Sequence, residues 1–305
     1  MRIFLAGATG LIGTPLVKRL RERGDTAVVL TRDARKAAAA LGSGVEVVEG
    51  DPQEYARWPK AVDGCQAVIN LVGEPIFGKR WNDKQKQVLR DSRIVSTWNV
   101  ARAIGEAGSR PTVLVNASAI GYYGNVPEGD LTEASPPGSD FLAKLCVDWE
   151  AAAREAAQHG PRVALVRIGV VLARQGGAVK LLLTPFKLGL GGPVGRGRQW
   201  VSWIHLDDIV GAFLTALDNP QASGPINGTA PAPERNKDFS RSLASALRRP
   251  AIFPVPPIAV KLRFGEVAGL VIEGSRVLPK RLEELGYTFA YTDCDSAMRA
   301  VVRSE

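Results

Sequence analysis

Seven residues near the start of the chain, Gly7-Ala8-Thr9-Gly10-Leu11-Ile12-Gly13, have the makeup of a turn that can hold a diphosphate. An apolar run leads in and a helix-like stretch follows. Amides at a helix N-terminus carry partial positive charge and attract phosphate oxygens. In such a turn Gly7 permits the tight bend, Gly10 lets the backbone approach the diphosphate, and Gly13 lets the helix pack on the strand. The spacing is Gly-x-x-Gly-x-x-Gly rather than Gly-x-Gly-x-x-Gly, so its weight comes from the strand–turn–helix context. The second apolar run ends in Thr31-Arg32. An acid at that place accepts from the adenine ribose of NAD, whereas a cation pairs with the 2′-phosphate of NADP. Thr31 and Arg32 therefore point to NADP(H). Asp33 fits the opening of a helix, where carboxylates are favoured.

Other catalytic constellations are few. Gly73-Glu74-Pro75-Ile76-Phe77-Gly78-Lys79 matches Gly-x-x-x-x-Gly-Lys, but Arg80 stands where magnesium needs Ser or Thr. Pro75 also removes a backbone donor, so nucleoside-triphosphate chemistry is not expected. Two histidines (His159, His205) and three widely spaced cysteines (Cys65, Cys146, Cys294) leave no expected metal site and no disulfide framework. Ser118, His205 and an Asp make no hydrolytic triad, because no Gly-x-Ser-x-Gly elbow surrounds the serine. His205 before Asp207-Asp208 reads as structural, Cys146 as a buried thiol, and Trp200 and Trp203 as packing residues. Arg167 at a strand end reads either as a holder of an anionic substrate or as half of a salt bridge.

The elements that must position these residues alternate. Apolar runs at Arg2–Ala6, Ala27–Leu30, Val45–Glu49, Ala67–Leu71, Thr112–Ala117 and Val163–Ile168 are short and nearly continuous, as in a parallel sheet buried on both faces. Between them Leu11–Arg23, Asp33–Leu41, Asp83–Gly108 and Asp140–His159 have helical spacing. This alternation predicts a Rossmann-like, doubly wound α/β sheet with right-handed crossovers. After Gly169 glycine-rich loops intervene, Gln199–Leu206 reads as a strand and Asp207–Leu217 as a helix. Prolines and helical patterns follow, which predicts a smaller, mostly helical C-terminal lobe. The expected division is residues 1–229, with loops 170–200 contributing to the lobe, and residues 230–305.

Length and composition set outer bounds. A chain of 305 residues suits one large or two coupled domains. With 45% hydrophobic and 23% charged residues it is neither disordered nor fibrous. No run of about 18 apolar residues exists, so nothing is expected to span a membrane and no membrane partner is expected. Met1 to Gly7 reaches a glycine too soon for a secretory signal, which with the sparse cysteines suggests a reduced cytoplasmic protein. The net charge of +8 is dispersed, with no block of like charges, so nucleic acid is not expected as a partner.

More specific motifs narrow the reading. They are Asn70-Leu71-Val72-Gly73-Glu74-Pro75-Ile76, Arg80-Trp81-Asn82, Ala117-Ser118-Ala119-Ile120-Gly121-Tyr122-Tyr123-Gly124, the run from Asp140 to Glu150, Gly189-Leu190-Gly191-Gly192-Pro193, the run from Gln199 to His205, and Val277-Leu278-Pro279-Lys280-Arg281. Together with the glycine turn they resemble the atypical extended short-chain dehydrogenase/reductases of the "epimerase family protein" group. The resemblance covers nearly the whole chain and implies an NADP(H) binder with the family's C-terminal domain of unknown function. It implies cofactor contacts at Gly7, Thr9, Gly10, Leu11, Ile12, Gly13, Thr31 and Arg32. It also implies Leu71, Val72 and Gly73 under the ribose and diphosphate, Val171 near the nicotinamide, and Asp51 at the adenine.

The departure from the superfamily concerns the proton relay. Its oxidoreductases use Ser or Thr, a Tyr, and a Lys four residues later, because hydride transfer needs a base near neutral pH. Ser118 takes the serine place. No tyrosine occurs between Asp140 and Glu150. Either Asp140 and Lys144, or Leu142 and Cys146, stand at the dyad positions, and Arg93 stands where an asparagine is common. Ser118 and Tyr122 remain the catalytic candidates. Two functions follow: an NADP(H)-dependent oxidoreductase or epimerase of unknown small-molecule substrate with an unusual proton donor, or a non-catalytic NADP(H)-binding sensor or scaffold.

Overall fold

The computed structural model describes residues 1–251 and 253–303. Seven strands form one sheet: β1 (Arg2–Ala6), β2 (Thr26–Thr31), β3 (Glu46–Glu49), β4 (Ala67–Asn70), β5 (Val113–Ala119), β6 (Arg162–Ile168) and β7 (Gly224–Gly228). Their spatial order is β7-β6-β5-β4-β1-β2-β3, and every pairing is parallel. The inner strands read as nearly continuous apolar runs because both faces are covered. Ile3, Leu5 and Val29 face one core cluster, and Phe4, Val28 and Leu30 face the other. Helices α1 (Gly13–Glu22), α2 (Ala34–Leu41), α3 (Asp83–Glu106) and α4 (Phe141–Arg154) make the crossovers. Three of them open on side-chain caps: Asp33 accepts from the Lys36 amide at 2.9 Å, Asn82 from Gln85 at 2.8 Å and Asp140 from Ala143 at 2.9 Å.

The second half differs from its sequence reading in three places. Gln199–Leu206 is not one strand. Trp200–Val201 pairs with Glu234–Arg235, while Trp203–His205 pairs with Val170–Leu172. Ser202 marks the break, its hydroxyl donating to the Ser275 carbonyl at 2.8 Å and accepting from the Val277 amide at 2.9 Å. The helix from Asp140 ends at Arg154 and tightens over Glu155–His159 before Gly160, whose φ of +106° stops it. The seventh strand, Gly-Pro-Ile-Asn-Gly, carries turn residues and is tolerated because it lies at the sheet edge.

A third apolar cluster builds the C-terminal region. Leu172, Val179, Phe186 and Trp203 meet Phe239, Leu243, Met298 and Val301 there. Leu172 and Trp203 come from the paired short strands, and the others from α5 (Gly177–Lys187), α7 (Asn236–Ala246) and a final helix, Cys294–Arg303. Asp208, on α6 (Leu206–Asp218), ties this region to the sheet. Its buried carboxylate accepts from the Ala290 amide at 2.7 Å, the Tyr291 amide at 3.1 Å and the Tyr287 hydroxyl at 3.0 Å. Helix α8 (Pro257–Phe264) follows α7, its lead-in pairing with the loop after α5 at Val194 and Val255. Among the described residues no helix is long and apolar enough to cross a membrane.

Candidate dinucleotide site and the neighbouring cleft

Because β1 lies between β2 and β4, the segments that follow those three strands come together at the C-terminal edge of the sheet. The glycine turn follows β1. Gly7 has φ +80°, and a Cβ there would stand 2.7 Å from the Leu71 carbonyl carbon, so the turn and the Leu71-Val72-Gly73 segment touch backbone to backbone. A Cβ on Gly13 would stand 2.6 Å from Ala8 backbone atoms, so its close approach is to the turn itself. Gly10 differs: only the Gly7 carbonyl oxygen, at 3.3 Å, lies within 4 Å of the place its Cβ would take. Thr9 and Gly10 are exposed. The Gly10 amide donates to Gly7 at 3.2 Å, and the Leu11 and Ile12 amides donate to no acceptor among the described residues. Free amides beside an open glycine fit an anionic diphosphate.

The other cofactor candidates take defined places. Leu11, Ile12, Leu71 and Val171 all pack, partly buried, on one core cluster beneath the turn. Asn70 fixes the loop above them: its carbonyl oxygen accepts from the Val72 amide at 3.2 Å, while its amide donates to Thr97 and Asn116. Gly73 is exposed, with the buried Arg93 guanidinium 3.1 Å from the position of a Cβ. Thr31 and Asp33 bond locally, the Thr31 hydroxyl accepting from the Asp33 amide at 3.2 Å. Asp33 caps α2, as its position suggests. Arg32 is exposed and forms no ion pair among the described residues. Asp51, beyond β3, turns its carboxylate to the Gln53 amide at 2.9 Å.

At the end of β5 a buried polar network surrounds Ser118, joined from the surface by Arg154, which donates to Glu150 at 3.1 Å. Ser118 is 1% exposed, and its hydroxyl donates to Glu150 at 2.8 Å. Arg167 clasps the same carboxylate at 2.7 and 3.0 Å and donates to the Tyr123 hydroxyl at 2.9 Å. Tyr123 in turn donates to Asn227 at 2.7 Å. Burial works against the Arg167 charge, but the bonds to Glu150 outweigh it and hold its pKa above the ordinary arginine value. Of the two readings open for Arg167, the salt bridge is the one observed. Glu150 and Asn227 are the members that sequence reasoning missed, and a glutamate on an otherwise apolar helix face was the available signal.

The geometry also chooses between the two dyad alignments. A Cβ on Gly121 would meet Leu142 at 3.4 Å and the Cys146 sulfur at 3.9 Å, whereas Lys144 is exposed. Leu142 and Cys146 therefore face the strand end. Burial, followed by the nearby Glu150 carboxylate, pushes the Cys146 thiol up to about 12, so it is not a nucleophile at neutral pH. Tyr122 is partly exposed. Its ring lies 3.4 Å from the Arg167 guanidinium, and its hydroxyl bonds to nothing among the described residues. His205 caps α6, its Nδ1 accepting from the Asp207 amide at 3.1 Å, and its ring lies 4.0 Å from that of Tyr291. Trp203 is buried and donates to the Ala232 carbonyl at 2.9 Å, while Trp200 lies against Arg235. No cluster of metal-ligating side chains occurs among the described residues.

A parallel sheet of this order, with an open glycine turn after its first strand, defines a Rossmann-like dinucleotide-binding fold. Residues 3–227 match the model of the NAD dependent epimerase/dehydratase family, and residues 255–301 match a domain of unknown function, DUF1731. The chain belongs to that family, within the group called epimerase family proteins. The Arabidopsis thaliana chloroplastic SDR39U1 homolog is 43% identical, covering 99% of this chain and 87% of its own length. Epimerase family protein MT2273 of Mycobacterium tuberculosis is 41% identical, covering 97% of this chain and 96% of its own. The crystal structure of human epimerase family protein SDR39U1 (isoform 2) with NADPH superposes with a TM-score of 0.90 at 32% identity, covering 100% of both chains.

Proposed function

We propose that this chain binds NADPH at the glycine turn and acts as an oxidoreductase on a small molecule without a tyrosine–lysine proton relay. The observation that carries the reading is one juxtaposition. Free Leu11 and Ile12 amides at an open glycine follow β1, and the neighbouring strand β2 leads into an exposed, unpaired Arg32. The human relative was solved with NADPH, which supports the same cofactor choice here.

When bound, NADPH supplies a hydride. The amides after Gly10 would hold the diphosphate, and Arg32, with Thr31 beside it, the 2′-phosphate. Leu71, Val72 and Gly73 would pass beneath the ribose, Val171 would wall the nicotinamide, and Asp51 would lie at the adenine. Tyr122 is the proton donor in this reading, because its hydroxyl is free and its ring is held against Arg167. Ser118 takes no part in proton transfer in this reading, since its hydroxyl is already engaged in donating a hydrogen bond to Glu150. Residues 230–305, with loops 170–200, form the lobe beside which substrate would lie.

The apolar contact of Leu142 and Cys146 with Gly121 favours one second reading, an NADPH-binding protein without catalysis. Calorimetric titration with NADPH, followed by NADPH oxidation against a carbonyl panel, separates the two. Binding with turnover that Tyr122→Phe abolishes supports the first. Binding with no turnover supports the second, and absence of binding overturns both.

A further inference from the structure

Large apolar side chains left in solvent gather on one part of the C-terminal region. Leu181, Leu188 and Leu190 come from α5 and the loop after it, and Phe253, Ile258 and Leu262 from α8 and its lead-in. Leu188 and Leu262 are each 69% exposed and Ile258 64%, far above what packing against their own helices requires. The backbone joins the two segments. The Val255 amide donates to Pro193 at 2.8 Å and the Gly195 amide to Val255 at 2.9 Å, so the loop after α5 runs beside the lead-in to α8.

Charge on both segments has one sign. No acidic residue occurs between Val170 and Leu206, and none between Phe239 and Gly265. Lys180 and Lys187 flank the apolar residues of α5, and Lys261 and Arg263 flank Leu262; none of the four forms an ion pair among the described residues. The first acid beyond α8, Glu266, is taken by Lys86 at 2.6 Å. On α3, by contrast, the exposed Val95 lies one turn from Asp91.

Glu273 lies beside Lys261 at the edge of the face, but the two segments themselves carry only cations. Aliphatic tips gain by leaving water, and a predominantly cationic surface gains from an anionic partner. A nucleic acid meets the charge but offers leucine and isoleucine little, because single-strand binding relies on aromatic stacking. A protein partner would need an apolar socket with a purely acidic rim. The interface of an anionic bilayer meets both demands, its headgroups taking the cations and its acyl boundary taking Leu, Ile and Phe. We propose that the face formed by α5, α8 and the loops joining them docks on an anionic membrane surface, where the protein lies without spanning. The expectation of no membrane partner rested on the absence of a spanning run, which concerns crossing and not docking. The inference is independent of the cofactor reading.

The test floats full-length protein with vesicles of phosphatidylcholine containing about one-third phosphatidylglycerol, and with phosphatidylcholine alone. Wild type should float with the anionic vesicles, and its partitioning should fall about tenfold or more on neutral ones or in high salt. Lys261→Glu with Arg263→Glu should lower it by a similar factor, as should Ile258→Asp with Leu262→Asp. These side chains are exposed, so melting by circular dichroism should be unchanged, and Trp98→Ala on α3 should float like wild type. Absence of flotation on anionic vesicles overturns the proposal, as does equal flotation on neutral ones or flotation indifferent to the α8 variants. Light scattering that shows self-association lost in Leu262→Asp, with no vesicle binding, assigns the face to a second copy and also overturns it.

Discussion

Replacing Gly10 with valine puts a branched side chain where the diphosphate would approach while disturbing little of the fold. The residue lies outside the left-handed region, and its Cβ would press only on the Gly7 carbonyl oxygen, at 3.3 Å. A few tenths of an ångström of relaxation at an exposed turn costs on the order of 1 kcal/mol or less, and so lowers Tm by no more than about 4 °C in a chain of this size. The ligand effect is larger. NADPH at a hundred times its Kd adds about 2.7 kcal/mol to the wild type by mass action, or roughly 5–10 °C. Melts with and without NADPH should therefore show a ligand shift in wild type and none in Gly10→Val. Gly13→Ala is the contrasting variant. Its Cβ would stand 2.6 Å from Ala8 backbone atoms, so it should lose about 1–3 kcal/mol before any ligand is added. A full NADPH shift in Gly10→Val would refute the placement of the diphosphate. An apo protein that unfolds on Gly10→Val while tolerating Gly13→Ala would refute the reasoning from backbone clearance.

Arg32→Ala should bring NADPH and NADH affinities together, with NADPH weakened about ten- to a hundredfold; calorimetry giving equal wild-type affinities counts against the 2′-phosphate contact. Glu150→Gln leaves the buried Arg167 guanidinium without its countercharge and should cost about 3–5 kcal/mol in urea unfolding, whereas an effect under about 1 kcal/mol would mean the network is not sealed from water. Burial holds the His205 pKa below the ordinary value, so the unfolded chain takes up a proton first as pH falls. His205 therefore withholds no stability above about pH 6.5 and destabilises as pH drops below it. The slope of stability against pH in that window should flatten in His205→Gln, and an unchanged slope would show that burial does not lower the His205 pKa. Nucleotide-sugar substrates should give no turnover with purified protein and NADP at neutral pH, since no tyrosine stands between Asp140 and Glu150; robust epimerase activity surviving Tyr122→Phe would overturn that expectation.

The sequence by itself determined what depends on local pattern. Six parallel strands were legible because a sheet buried on both faces leaves continuous apolar runs, and the glycine turn was legible because only glycine allows its bend and its close approach to Leu71. The caps at Asp33 and Asp140 are equally local. What only the tertiary structure decided depends on partners far apart in the chain. Ser118 looked available until β5 met α4 and its hydroxyl found Glu150, 32 residues on. The strand Gly224–Gly228 has no sequence signature, because its neighbour β6 and not its composition makes it extended. The single run Gln199–Leu206 was cut in two by pairing with separate segments on either side of Ser202. Lys144 and Cys146 were equal candidates in one dimension, and the rotation of α4 over the end of β5 turned one outward and the other in.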